Sequence, residues 1–176
     1  MKLITELNDD VQCIVEEKEG LKKFFITGPF IQTEQQNRNG RIYGRGIMEK
    51  EVKRYNEQYV STNRALGELG HPDGPSINLD RVSHKIVSLT QEGNDFIGKA
   101  EILGTPMGVI ARNLLESGVR LGVSTRGMGS VAQKNGVTYV QDDFHLATAA
   151  DIVADPSAPD AFVQGIMEGV EWVWDN

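Results

Sequence analysis

The sequence has few of the residues that form disulfides or cysteine-based metal sites. Its 176 residues include one cysteine, Cys13, and three histidines. A single cysteine cannot form an internal disulfide, so the chain suits a reducing compartment and offers no cysteine-based metal site. We therefore expect neither a metal nor another cofactor.

Long apolar runs are also missing. The first ten residues, MKLITELNDD, lack the apolar core of a secretion signal. No stretch approaches the roughly 18 apolar residues that indicate a membrane-spanning helix. We expect a cytosolic chain with no membrane partner.

Basic residues are in the minority. The chain has 18 Lys and Arg against 25 Asp and Glu, which gives a net charge of -7 at pH 7. Because affinity for phosphates needs a basic surface, this balance argues against nucleic acid as the main partner, although Arg38, Arg41 and Arg45 leave a local basic strip open. With 39% hydrophobic residues, the composition is that of an ordinary globular protein, and the length suits a single domain over 1–176.

Hydrophobic periodicity predicts two helices among many strands. Helical spacing covers 46–60 and 105–118, and Gly118 supplies a stop for the second helix. Alternating residues in 81–89 and 96–103 predict a β-hairpin, and Asn135-Gly136 predicts another tight turn. The stretch GVSTRGMGS, residues 122–130, is expected to be a glycine loop that follows a short strand ending at Ser124. These elements predict an α+β fold.

A neutral-pH base must be one of His71, His84 and His145. His71 lies between a glycine and a proline in GELGHPDG, a loop position of the kind where catalytic groups concentrate. His84 lies inside a strand pattern. A lone histidine is more often structural than catalytic, so His71 needs a chemical partner to be a candidate.

Ser124 is that partner. A serine nucleophile needs a base within hydrogen-bond reach and N–H donors for the oxyanion, and the backbone at Thr125, Arg126 and Gly127 would supply the donors. A serine among glycines is otherwise a turn residue. The segment is not a Walker loop, which needs Gly-Lys-Ser/Thr before a helix, nor a hydrolase elbow, because Arg126 stands where the second glycine belongs.

Four segments together resemble one protein family: NRNGRIYGRGIMEK, ALGELGHP, GVSTRGMGS and DPSAPDAFV. In this order and spacing they are similar to the prohead (procapsid) core proteases of contractile-tailed bacteriophages, relatives of the herpesvirus assemblin proteases. The resemblance covers about 25–163 and implies a serine endopeptidase with an antiparallel β-barrel wrapped by helices. It further implies action inside the viral prohead, in the host cytoplasm, on scaffold (core) and major capsid proteins. It makes Ser124 the nucleophile and His71 the base.

The sequence offers several candidates for the third catalytic residue. We favour Asp151, because an aspartate inside the apolar run LATAADIVA needs a partner if it is buried, and orienting an imidazolium would supply one. A strand-end acid facing water is the alternative. His145, Asp142, Asp143 and Asp80 remain open as third members. We expect the Arg126 side chain to hold a water or the oxyanion rather than to pair with a carboxylate.

The resemblance also implies cleavage after glutamate in Ile/Leu-x-Glu sequences. Such sites occur in the chain itself at Glu6 and Glu168, which predicts self-cleavage there. Arg38, Arg41 or Arg126 could bind the substrate glutamate. We expect residues 1–20 to be mobile or autoinhibitory, 164–176 to form a C-terminal tail, and the chain to be an oligomeric zymogen.

Two other functions remain open from the sequence. One is a catalytically silent shell, tube or scaffold protein with the same fold, which the presence of both Ser124 and His71 disfavours. The other is a nucleotide-binding module that uses the glycine loop, which would be stabilised by ATP or GTP.

Overall fold

The computed structural model describes residues 2–8, 12–18, 21–37, 39–70 and 72–154, with side chains from residue 23 onward. The tail predicted at 164–176 lies outside these ranges. Within them the chain forms eleven strands and two α-helices. In order they are β1 (Lys2–Asn8), β2 (Gln12–Lys18), β3 (Leu21–Gln32), β4 (Arg41–Ile42), α1 (Arg45–Tyr55), β5 (Leu66–Glu68), β6 (Val82–Glu92), β7 (Asp95–Ile102), α2 (Pro106–Glu116), β8 (Gly122–Gly129), β9 (Val131–Lys134), β10 (Val137–Val140) and β11 (His145–Val153).

The described strands form three sheets. The largest has the order β2-β3-β7-β6-β5, the second has β8 between β1 and β11, and the third has β10 between β4 and β9. Neighbouring strands run antiparallel except β10 and β4, which are parallel. This strand-rich arrangement with few helices confirms the α+β prediction. A closed barrel is not seen among these strands.

Hydrophobic periodicity located the helices correctly. A π-helical turn, Asn56–Val60, continues α1 to the end of the predicted range. The second helix, α2, begins after Thr105, whose side-chain oxygen accepts a hydrogen bond from the Gly108 amide at 3.1 Å. Neither helix of the described chain is long and apolar enough to cross a bilayer.

Both predicted hairpins are confirmed. β6 and β7 pair antiparallel up to Glu92 and Asp95. β9 and β10 are joined by Asn135 and Gly136, whose φ angles of 54° and 78° lie in the left-handed region. A two-residue hairpin turn with positive φ at both positions matches the right-handed twist of the strands, and Asn-Gly is its preferred sequence.

The hydrophobic core joins the largest sheet, the two helices and the β8–β11 pair. Along β7 every second residue is buried, as expected for a strand with one face against the core. Each of these elements contributes to a single cluster, including Phe24, Ile26, Met48, Val52, Tyr55, Ile86, Phe96, Ala100, Ala111, Val123 and Ile152. The core therefore fixes the position of β8 against the rest of the molecule.

The predicted glycine loop at 122–130 is wrong. Gly122–Gly129 is one continuous strand, β8, and every residue in it is buried. Its glycines serve close packing rather than a flexible turn: a Cβ on Gly127 would lie 2.6 Å from the Phe144 ring and 2.7 Å from the His145 carbonyl oxygen. Ser124 accordingly lies within the strand rather than at its end.

α1 compensates for an irregularity in β11. Leu146 is paired opposite Gly127 of β8, and the register of the two strands shifts between Leu146 and Thr148. The Glu51 carboxylate accepts a hydrogen bond from the Leu146 amide at 2.9 Å, and Arg54 donates to its carbonyl at 2.8 Å. Arg54 also pairs with Glu51 at 3.0 Å, so the two side chains act together.

His84 connects β6 to β11 through the space that Gly67 leaves open. Its Nε2 lies 2.7 Å from the Ala150 carbonyl oxygen, and its Nδ1 lies 2.8 Å from the Ser83 hydroxyl. A Cβ on Gly67 would overlap both Nε2 of His84 and the Ala150 oxygen. Burial lowers the pKa of His84 to about 4, so the imidazole is neutral and structural, as its strand position indicated.

We predict that Gly67→Ala destabilises the protein by about 1–3 kcal/mol, because the added methyl group must displace His84 or β11. Gly46→Ala is the matched control, since nothing lies within 4 Å of a Cβ at that position. Urea unfolding of both variants checks the prediction. Equal stability for the two variants would contradict the close contact.

Neutral His84 predicts a pH-dependent loss of stability. Its pKa is about 4 in the folded state against 6.5 unperturbed, so between these values the unfolded chain binds a proton that the folded chain does not. The unfolding free energy should fall by on the order of 2–3 kcal/mol as the pH drops from 6.5 toward 4. His84→Gln should lose this component, and parallel curves for the two proteins would contradict it.

Candidate active site

Ser124 lies in the middle of a sheet. β8 is flanked by β1 on one side and β11 on the other, with Leu7 opposite Ser124 in one pair and Asp151 opposite it in the other. The side chain is fully buried, and its hydroxyl makes one long hydrogen bond, 3.5 Å, to the Thr125 carbonyl. A bond of that length is weak, so the hydroxyl is not strongly held.

Arg126 extends from the same face of β8 as Ser124, because alternate residues of a strand share a face. Its guanidinium is fully buried and uses all five of its N–H donors. Nε donates to Asp151 Oδ2 at 2.9 Å, and Nη2 donates to Asp151 Oδ1 at 3.2 Å and to Glu68 Oε2 at 2.8 Å. Nη1 donates to the carbonyl oxygens of Gly74 and Ser76, both at 2.9 Å.

These bonds correct the expectation for the Arg126 side chain. It pairs with two carboxylates, at 2.8 Å and 2.9 Å, rather than holding a water or an oxyanion. With no donor left, the guanidinium also cannot bind a substrate glutamate. Water does not solvate a buried guanidinium, so its charge must be compensated by protein groups. Glu68 and Asp151 provide this compensation.

Glu68 completes the network. Its carboxylate accepts hydrogen bonds from the Asn78 amide at 3.2 Å and from Asn78 Nδ2 at 3.0 Å. Together with the Arg126 bonds to Gly74 and Ser76, this places the 72–78 segment over the face of β8 that carries Ser124. The sequence reasoning missed Glu68. The sequence signal for Glu68 was an acid in the largely apolar segment ALGELG, comparable to Asp151 in the apolar run LATAADIVA.

Asp151 is fully buried, as predicted, and its observed partners are Arg126 and the Glu68 amide, which donates to Oδ1 at 3.0 Å. Among the described residues Oδ1 accepts from two donors and Oδ2 from one, so Oδ2 can accept one further hydrogen bond. Burial raises the pKa of Asp151 to about 6, and the Arg126 charge opposes this rise. Two carboxylates face one guanidinium, so the ionised cluster carries one excess negative charge.

The other candidates for a third member lie farther from Ser124. His145 is paired opposite Met128, four residues along β8, or roughly 13 Å away. Asp143 is an exposed turn residue that accepts a hydrogen bond from the Ser130 amide at 3.0 Å, and Asp142 beside it is exposed. Asp80 is exposed in a 3-10 turn, Leu79–Arg81. Asp151 alone of these lies directly opposite Ser124.

The predicted site residues divide into three that lie outside the described residues and two that lie within them. His71, Arg38 and Glu168 lie outside the described residues. Glu6 lies in β1, where its backbone is paired opposite Thr125. Arg41 is buried at the start of β4.

Thr125, Arg126 and Gly127, expected to supply oxyanion donors, form part of two ladders. β1 pairs with them through Glu6, Thr5 and Ile4, and β11 pairs with Arg126 and Gly127 on the other side. In an antiparallel ladder successive amides are directed to opposite neighbours. Amides directed toward β1 are therefore available to a ligand only when β1 leaves.

Metal-binding clusters are not found in the described part of the chain: no three His, Cys, Asp or Glu side chains there are grouped to hold an ion.

Comparison with known proteins identifies relatives along most of the chain. Residues 7–171 match the family described as prohead core protein serine protease. The prohead core protein protease of Enterobacteria phage T4 is 41% identical over 151 residues, which cover 82% of this chain and 70% of that protein. The solved structure of the bacteriophage T4 capsid assembly protease superposes with a TM-score of 0.80 at 31% identity, covering 88% of this chain and 98% of the other.

We predict that Arg126→Met lowers the unfolding free energy by about 3–5 kcal/mol, because it leaves two buried carboxylates without a cation. Adding Glu68→Gln and Asp151→Asn should recover part of this loss. Arg45→Met, which removes an exposed pair with Glu49, should cost less than about 1 kcal/mol. Chemical denaturation measures all three, and equal losses for Arg126 and Arg45 would contradict a buried, essential guanidinium.

Proposed function

Because the chain belongs to the prohead core protein serine protease family, we propose that it is the serine endopeptidase of a phage prohead, acting with Ser124, His71 and Asp151. It degrades scaffold (core) protein and trims major capsid protein inside the prohead in the host cytoplasm. One observation carries the catalytic assignment. Ser124 and Asp151 are paired on adjacent strands, and the segment that directly follows His71 lies over the Ser124 face.

The chemistry is acyl transfer to serine. His71 removes the proton from Ser124 Oγ as the oxygen attacks the scissile carbonyl carbon, and then gives that proton to the leaving amine as the C–N bond breaks. In the second step His71 takes a proton from water as the water oxygen attacks the acyl ester, and it returns that proton to Ser124 Oγ as the ester C–O bond breaks and the carboxylic acid product leaves. The open acceptor position on Asp151 Oδ2 receives the imidazole N–H that faces away from Ser124.

The negative tetrahedral oxygen needs N–H donors. Within Thr125, Arg126 and Gly127, the amides directed toward β1 supply them, with β1 occupying the place of the substrate until it leaves. An extended peptide that replaces β1 would form the same ladder, a common mode of peptide recognition. This supports a zymogen in which the N-terminal strand covers the nucleophile strand.

The register of β1 supports self-cleavage after Glu6. Glu6 is paired opposite Thr125 and Leu7 opposite Ser124, so the bond between Glu6 and Leu7 is in register with the proposed nucleophile. Glu6 follows Ile4 by two residues, the Ile/Leu-x-Glu pattern that we propose for substrates. Glu168 is the second proposed site. Because the donors of Arg126 are all used, the glutamate-binding cation is Arg38 or Arg41.

Assembly is part of the same proposal. The chain acts as a homo-oligomer inside the shell, uses no cofactor, and shares ancestry with the herpesvirus assemblin proteases. The relative with the superposable structure is named as a capsid assembly protease, which supports capsid and scaffold proteins as the substrates.

Intact-mass spectrometry tests the function. After prolonged incubation at high concentration, wild type should lose residues 1–6, whereas Ser124→Ala should stay whole. Ser130→Ala is the matched control, because that serine comes directly after β8, and it should be processed like wild type. If wild type remains whole and also leaves an added Ile-x-Glu scaffold peptide uncut, the protease proposal is wrong and a silent structural role takes its place.

A further inference from the structure

We propose that Arg126 and Asn78 are positioning residues for catalysis. Arg126 directly, and Asn78 through Glu68, hold the 72–78 segment over the face of β8 that carries Ser124. They thereby position the chain next to His71. This inference rests on the proposed function. It gives the Arg126 side chain a positioning role rather than contact with substrate.

The bonds of Arg126 reach the backbone of this segment directly. Nη1 donates to the carbonyls of Gly74 and Ser76, which are three and five residues beyond His71. The segment has no regular secondary structure of its own between 72 and 78. The fixed, planar guanidinium therefore sets where these carbonyls lie relative to β8.

Asn78 provides the second attachment. Its amide and its side-chain Nδ2 both donate to the Glu68 carboxylate, which in turn accepts from Arg126 Nη2 at 2.8 Å. The far end of the segment is thus bound to the same cluster as its middle. Removing the Asn78 side chain would break one of these bonds without touching Arg126.

The chain before His71 is attached as well. The Gly70 amide donates to the Ile152 carbonyl at 2.6 Å, and Leu69 forms an isolated parallel bridge with Ile152. Ile152 is adjacent to Asp151 on β11. The described residues that flank His71 in the chain are therefore attached at two points, Gly70 to β11 and Gly74 to the Arg126 cluster.

A charge alone cannot replace the arginine. Lysine carries one ammonium with three donors and no planar fork, so it cannot reach two carboxylates and two carbonyls together. Since misplacement by about 1 Å can reduce catalysis by about 100-fold, loosening this segment should act mainly on the chemical step.

The test compares Asn78→Ala and Arg126→Lys with Arg54→Lys. Arg54 is the matched control, because it also joins a carboxylate to a strand carbonyl, Glu51 and Leu146, but at the α1 side of β11. Asn78 is exposed, so its variant should fold even if Arg126→Lys does not. Hydrogen exchange of the 72–78 peptide, kcat and KM on an Ile-x-Glu peptide, and labelling of Ser124 by a fluorophosphonate are the measurements.

We expect Asn78→Ala and Arg126→Lys to exchange faster in 72–78 and to lose about 10- to 100-fold in kcat, with KM changed less than about 3-fold. Arg54→Lys should keep wild-type kcat and wild-type hydrogen exchange in 72–78.

Unchanged exchange in 72–78, or unchanged kcat in both variants, would overturn the inference while leaving the protease assignment intact. An equal kcat loss in Arg54→Lys would overturn it as well, since that result indicates general loosening. A wild type that neither cleaves nor reacts with the fluorophosphonate would instead overturn the function itself.

Discussion

The Arg126 guanidinium is the interaction on which the arrangement of the candidate site depends. It joins β8 to β5, β11 and the 72–78 segment, parts of the chain that are 25 to 58 residues away in sequence. Removing an arginine and two carboxylates from water is costly, and apolar residues would often give equal stability. What an ionic cluster adds is a single geometry, because five donors and their acceptors are satisfied together in only one arrangement.

Local patterns made part of this structure predictable. The two helices and the β6–β7 hairpin follow from spacing within about a dozen residues, and the Asn135-Gly136 turn follows from its dipeptide. β8 was not predictable in this way. Gly122, Gly127 and Gly129 have the composition of a loop. Tertiary packing explains why a side chain is excluded at Gly127, because a Cβ there would meet the Phe144 ring and the His145 carbonyl oxygen.

The candidate site also combines features that local sequence predicts with features that only strand pairing determines. Burial of Asp151 followed from its apolar neighbours, and so did its need for a partner. The identity of the observed partner, Arg126 on the neighbouring strand, depends on strand pairing, which the sequence does not encode locally. Glu68 was missed because a single acid in a short strand of three residues has no period to reveal it.

The pairing of β1 with β8 also affects how copies of the chain interact at high concentration. A strand flanked on both sides offers no open edge, and open edges are the places where extended segments of other molecules add themselves to a sheet. While β1 is in place, many copies can be packed together without recruiting one another through β8. Loss of β1 turns an interior strand into an edge strand, so the same event that admits a peptide also removes the protection against unwanted strand exchange. An intact β1 therefore protects β8 from strand exchange for as long as copies of this chain outnumber the peptides that β8 could bind.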